Sequence, residues 1–347
     1  MTVVDGDGAT ERATRPVTLA DIARAAGTSA STASRAINGK GYVSESARAR
    51  LLDAADRLGY VPNASARTLK QRTSRVVGVV VSDLRNQFYA RLAAGIEQTL
   101  RAADYQMVLL SDNSESGEEL AGARTFLAMR APGVIMTPVG HDAAELLARH
   151  GVAVVELDRL LAKIPCDGVV IDNEKGGRIA ADHLLELGHT RIALLVAATD
   201  WTTDTGRVNG FRAAHRDARV PVHEQLILPI EPEAADVDAR IATLLDEERP
   251  TAIFAANNVL AEQAWHVLRR RGRSLPADVS LVAFDDMPWM TMVDPGITAV
   301  AQPTDEMGSR AAHLLVRRVE DPLCEPKVEC LEPTLVVRGS TGPPAAT

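Results

Sequence analysis

Apolar and polar positions follow two regimes along the chain. From residue 18 to 70 the apolar positions recur three and four apart, the helical period. Leu19, Ile22, Ala23 and Ala26 form one face of a first helix, opened by Thr18 with Asp21 three residues on and stopped at Gly27. Only Thr28 and Ser29 precede a second helix, with Ser29 as its cap and Ala33, Ala36 and Ile37 inward. A third, after Ser44, is expected to bury Ala47, Leu51, Ala54 and Leu58 and to end at Gly59. Two helices joined by so short a glycine-containing turn predict a helix-turn-helix, whose second helix enters the DNA major groove. Asn63, after Pro62, can cap a further two-turn helix. That helix is too short to be stable alone in water, so it should form only on a partner or on DNA.

The period then changes. RVVGVVVSD, YQMVLLS, GVIMT, VAVVELD, GVVIDN, RIALLV, LILPI, TAIFAA, VSLVAFD and ITAVAQ read as strands, and VECLEPTLVVR closes the series. Helical periodicity lies between them, at 87–103, 117–130, 141–150, 176–187, 205–218, 235–248, 258–271 and 304–319. Strands alternating with helices predict parallel sheets covered on both faces. Roughly ten strands are too many for one such sheet and predict two lobes. The expected fold is an N-terminal all-α helix-turn-helix headpiece plus an α/β core of two doubly wound parallel-sheet lobes. Its divisions are an arm (1–16), headpiece (17–61), hinge helix and linker (62–75), two-lobed core (76–339) and tail (340–347).

Charge sharpens this division. Residues 1–75 carry twelve Lys and Arg against seven Asp and Glu, a net of +5, and the remainder carries a net of −13. A basic head on an acidic body places nucleic-acid binding at one end. No stretch is apolar enough to span a membrane, and MTVVDGDGATERATRP lacks the apolar core of a secretory signal and reads as a disordered arm. Cys166, Cys324 and Cys330 lack metal-type spacing and suit a reducing cytoplasm. His183 and His189, six apart, cannot share a helix face as metal ligands. The glycine and serine motifs of nucleotide-binding and hydrolytic enzymes are missing from the strand-turn-helix context each needs. Neither an enzyme, a cofactor nor a metal is expected.

TLADIARAAG, STASRAING, YVSESARARLLDAADRLGY and PNASARTL, in this order and spacing, resemble the headpiece and hinge of the lactose/galactose-repressor (LacI/GalR) family. The later strands and helices resemble that family's effector-binding core, which is similar to periplasmic sugar-binding proteins. The resemblance covers residues 17–339 and implies two lobes joined by three crossovers, with the last helix returning to the first lobe. It places Ala30, Ser31 and Arg35 at base-reading positions. Of these, Arg35 is the strongest reader, since its fork can bond guanine O6 and N7 together; the alternative is a phosphate clamp or a surface salt bridge. Thr18, Ser29, Thr32, Asn38 and Tyr42 are expected on the DNA backbone, although capping alone accounts for Thr18 and Ser29. In the hinge, Leu69 is the family's minor-groove wedge, and Ala66 is small enough for a partner hinge to approach. Two such headpieces imply a homodimer on a palindromic operator of double-stranded DNA.

Ligands of open α/β lobes sit at the carboxyl ends of strands. Asp83, Phe88 and Tyr89 follow the first strand, Asp158 and Arg159 end VAVVEL, and Asn257 and Asn258 end TAIFAA. Asp285 and Asp286 end VSLVAF. Arg207 falls in the expected first turn of a helix, where the dipole disfavours a cation. The resemblance makes Arg207 the ligand-clasping arginine and Asp158 and Asp286 pocket acids. Asn258 departs from it, standing where sugar-binding members have Asp. Trp201 and Trp289, with Phe88 opposite, are candidate stacking faces. Together these imply a repressor released by a small carbohydrate-like effector. The alternative is a corepressor-dependent regulator answering a purine, another metabolite or a protein.

Overall fold

The computed structural model describes residues 17–39, 41–60, 74–199, 201–231 and 234–345. The expected arm and the hinge residues Asn63, Ala66 and Leu69 lie outside the described residues. The chain divides into two compact units, Met1–Arg72 and Thr73–Thr347.

In the first unit, α1 (Leu19–Ala25), α2 (Ala30–Ile37) and α3 (Glu45–Leu58) pack as the periodicity predicts. Thr18 and Asp21 form a reciprocal capping box, and Ser29 Oγ accepts from the Thr32 amide at 3.2 Å. The core is Ile22, Ala23, Ala26, Ala33, Ala36, Leu51, Ala54 and Ala55. Alanine dominates it, so the helices approach closely around little apolar volume. Two expectations change at the end of α3. Ala47 is only half-buried, and Leu58 is 41% exposed. Gly59 takes the left-handed conformation, with φ 64°. That turn brings the Tyr60 amide to the Ala55 carbonyl and packs Tyr60 on the core.

The second unit has two lobes. The first is built from β1 (Val76–Val81), α4 (Gln87–Ala102), β2 (Gln106–Ser111), α5 (Ser116–Ala128), β3 (Gly133–Met136), α6 (Asp142–Arg149), β4 (Ala153–Leu157) and β5 (Asp167–Ile171). The second is built from α7 (Asn173–Glu186), β6 (Ile192–Ala197), α8 (Thr202–Ala218), β7 (Ile227–Ile230), α9 (Val237–Glu247), β8 (Ala252–Ala255), α10 (Asn258–Arg270), β9 (Ser280–Phe284) and β10 (Thr298–Ala301). Then α11 (Thr304–Glu320) returns to pack on α4, β3, β4 and β5. The final apolar run, expected as one strand, divides at Glu332-Pro333. β11 (Val328–Leu331) joins the first sheet beside β5, and β12 (Thr334–Val336) pairs antiparallel with β10. Sheet orders are β11-β5-β4-β3-β1-β2 and β12-β10-β9-β8-β6-β7. The chain therefore crosses between lobes three times, at Asp172, at Gln302-Pro303 and at Glu332-Pro333.

Helices α7 and α8 begin three residues before their expected starts. Asp172 caps α7 by accepting from the Lys175 amide at 2.8 Å. Gly177, Gly206 and Gly210 form the seam between α7 and α8, while Gly176 faces the Phe284 ring and Pro333. A Cβ built on Gly210 falls far inside van der Waals distance of the Glu174 carbonyl oxygen. One built on Gly177 strikes the Arg207 backbone. Gly95 and Gly308 bring α4 and α11 together in the same way.

Two polar anchors complete the packing. Asp167, fully buried at the start of β5, accepts from Arg317 Nη2 (2.7 Å), Arg318 Nε (2.8 Å) and the Lys327 amide (2.8 Å). It thereby fastens the end of α11 and the loop beyond it. The expected tail is also packed at its start. Ser340 is buried against Leu281 and Thr298, and Gly342 bonds to Ser280 and His189.

Candidate functional site

The first unit presents one polar helix face. Ala30, Ser31 and Arg35 are exposed on α2, opposite buried Ala33 and Ala36. Arg35 is steadied by its own turn: Nε donates to the Ser31 carbonyl at 3.3 Å, and its Cδ lies beside Gly41, whose φ is 76°. Thr32 is half-buried, and its hydroxyl shares a hydrogen bond with Ser29. Asn38 Nδ2 donates to the Ser34 carbonyl at 2.7 Å. Tyr42, 89% exposed, stands clear of the core. An exposed arginine and small hydroxyls on the second helix of a helix-turn-helix can meet base edges while the caps hold the helix end.

In the second unit the two lobes bring polar residues together at the carboxyl ends of their strands. Asp158 after β4 and Asp285 after β9 occupy corresponding places, and both have left-handed backbone, with φ 72° and 68°. Such conformations cost non-glycine residues about 1–3 kcal/mol and gather where function requires them. Burial pushes Asp158 up to about 6, against the pull of Arg159 and Arg207. Burial likewise raises Asp285 and Asp204, with Arg207 opposing in each case. These carboxylates and arginines thus share one field across the lobes. Asp204 was not anticipated, although its place one turn before Arg207 on α8 is an acid–base spacing a sequence can show.

Arg207 lies in the second turn of α8, because the helix starts at Thr202, so dipole strain does not single it out. Its role is visible in its bracing. Nε donates to Asn173 Oδ1 (3.0 Å) and Nη1 to the Ala256 carbonyl (2.6 Å), and the guanidinium lies 3.7 Å over the Phe284 ring. Asp285 in turn accepts from Gln302 Nε2 at 2.6 Å. Asn173 and Gln302, neither expected, stand at two of the three crossovers.

From the first lobe, Arg159 is 1% exposed. Its Nη2 donates to Ser82 Oγ (2.5 Å) and reaches Tyr89 Oη at 3.4 Å. Across the cleft its guanidinium lies 3.8 Å over the Trp201 ring. Phe88 is buried edge-on to Tyr89. Asn258 forms a reciprocal amide pair with Asn86 of the other lobe, at 2.8 and 3.3 Å.

Three expected residues have other engagements. Asp286 is held by both nitrogens of the Arg338 fork at 2.8 Å, while its neighbour Asp285 joins the cluster. Asp83 pairs with Arg85 beside it. Trp289 packs against Trp265, their centroids 6.2 Å apart. Among the described residues no group of acids, histidines or cysteines could hold a metal ion, and no helix is long and apolar enough to cross a membrane.

Residues 18–63 match the bacterial regulatory proteins of the lacI family, and residues 181–341 match a periplasmic binding protein-like domain. The chain is 34% identical over 331 residues to the HTH-type transcriptional regulator DegA of Bacillus subtilis (strain 168), covering 94% of this chain and 98% of DegA. The chain belongs to the LacI family. It is a DNA-binding transcriptional regulator. Solved structures of transcriptional regulators are similar to it over most of their length. The transcriptional regulator CelR in complex with cellobiose is 32% identical, with a TM-score of 0.71, over 94% of this chain and 100% of that one. The lac repressor dimer bound to operator and the anti-inducer ONPF is 25% identical, with a TM-score of 0.82, over 94% and 100%.

Proposed function

We propose that this regulator is a repressor that binds a palindromic operator as a homodimer and is released by a small carbohydrate-like effector held between its lobes. The observation that carries this reading is the cluster of Asp158, Arg159, Trp201, Arg207 and Asp285. Carboxylates and guanidinium groups flanking an aromatic face suit a ring bearing hydroxyl groups. The cellobiose held by CelR supports the same ligand class. An effector acts only by binding the released and the operator-bound states with different affinity. Asn173 and Gln302 give it a route, since they tie cleft groups to the crossovers on which the lobes turn.

The first test is a thermal-shift panel of sugars, sugar phosphates and purines on the full-length protein, followed by operator release with each hit. A stabilising sugar that releases operator is the expected result. A ligand that instead tightens operator binding overturns release as the mechanism. Arg207→Ala should weaken the hit's binding about 10- to 100-fold, the value of a charged hydrogen bond or two, read by titration of tryptophan fluorescence. In the first unit, Arg35→Ala should flatten the preference for operator over random DNA by about 1–3 kcal/mol. Equal losses on both DNAs would make Arg35 a phosphate contact.

A further inference from the structure

We infer that Asn86 and Asn258 form a latch across the cleft, and that Asn258 is a positioning residue acting on the opposite lobe rather than a ligand contact. Its consequence for effector binding, though not the latch itself, rests on the reading of the cleft as the effector site.

The two side chains come from different lobes and meet directly. Asn258 Nδ2 donates to Asn86 Oδ1 at 2.8 Å, and Asn86 Nδ2 donates back to Asn258 Oδ1 at 3.3 Å. Each partner is held in place by its own lobe. Asn86 caps α4, its Oδ1 also accepting from the Phe88 amide at 3.0 Å. Asn258 is buried at the first position of α10, next to Asn257, which caps that helix through the Leu260 amide at 2.8 Å. Little side-chain freedom is left to lose when such a pair forms. A second bond crosses from the same helix: Arg91 Nη1 on α4 donates to the Asp286 carbonyl at 3.1 Å. Asp286 is itself fixed by the Arg338 fork. The start of α4 therefore grips the second lobe at two places.

The cap on α4 decides how the pair is wired. Asn86 Oδ1 is committed to the Phe88 amide, so turning this side-chain amide over would set N–H against N–H and lose the cap. The residue opposite must therefore donate to Asn86 Oδ1 and accept from Asn86 Nδ2. An amide does both, whereas a carboxylate only accepts. Aspartate at position 258 would set an oxygen against Asn86 Oδ1, in the place of the N–H that now spans 2.8 Å. This is a physical reason for asparagine at a position where the sequence resemblance leads one to expect an acid. A ligand that binds closed lobes gains affinity in proportion to the fraction already closed. The latch thus raises effector affinity without touching the effector.

The test measures lobe separation directly and needs no ligand. Spin labels are placed on the full-length protein at Glu118→Cys on α5 and Glu262→Cys on α10, both exposed. Cys166, Cys324 and Cys330 are replaced by serine, and labelled protein is diluted with unlabelled so that only distances within one chain are read. Asn258→Asp reverses the attraction, and Asn86→Ser keeps a helix cap on a side chain one atom shorter. Each should raise the ratio of open to closed lobes about tenfold, the worth of one or two neutral hydrogen bonds. The double variant should open no further than the stronger single one, as expected of two halves of one contact. Where Asn258→Asp fails to fold, Asn258→Ser carries the same cycle. Label distances unchanged in both single variants, effects that add in the double variant, or a lowered unfolding midpoint with the lobes unmoved overturns the latch. None of these outcomes bears on whether a sugar binds, so the latch and the effector reading fail separately.

Discussion

Gly210→Ala should lower the thermal unfolding midpoint of the second unit by about 6–12 °C, corresponding to a loss of roughly 3 kcal/mol. The cause is local. The new methyl would sit on the Glu174 carbonyl oxygen, and the neighbouring Arg178 amide is also within its reach. Both are backbone atoms, so no rotamer change relieves the clash and α7 and α8 must separate. Differential scanning calorimetry of the full-length protein checks it. A midpoint within 2 °C of wild type would mean that the seam is looser than its geometry. Gly177→Ala meets the Arg207 backbone instead and should also displace the effector arginine, so its ligand affinity should fall with its stability.

Asp167→Ala should cost about 3–5 kcal/mol, the usual penalty for removing one partner of a buried ion pair. Arg318 would be left largely buried with only backbone carbonyls as acceptors, and Arg317 and the Lys327 amide would lose an acceptor. Chemical denaturation followed by far-UV circular dichroism measures the loss. Replacing Asp167 together with Arg317 and Arg318 by apolar residues should recover much of it, because the charge left unpaired, rather than the lost attraction, dominates the penalty. If the triple variant is no more stable than Asp167→Ala, packing rather than charge governs that corner.

Much of this architecture is legible in the sequence. The apolar runs at β1, β6, β8 and β9 announce buried parallel strands, and the Thr18 and Ser29 caps mark helix starts to the residue. Legibility fails where the deciding cause is tertiary. The first residues of α7 and α8, Asn173-Glu174-Lys175 and Thr202-Thr203-Asp204, look like loop because they are all polar; the reason for Gly177, Gly206 and Gly210 is the backbone of the opposing helix, which no periodicity shows. β11 and β12 read as one strand because each finds its partner in a different sheet. At the cleft, the Asp285-Asp286 pair offers two identical side chains. Which one enters the cluster depends on a single left-handed φ, and no periodicity encodes that.

The glycine seams carry a mechanical consequence. Where backbone rests on backbone, no side-chain torsion lies between to absorb displacement, so α7 with α8, and α4 with α11, act as stiff beams within their lobes. Compliance is then concentrated in three short joints, at Asp172, Gln302-Pro303 and Glu332-Pro333. Two of those joints adjoin residues that grip cleft groups, Asn173 on Arg207 and Gln302 on Asp285, so a load applied at the cleft has a direct path to the pivots.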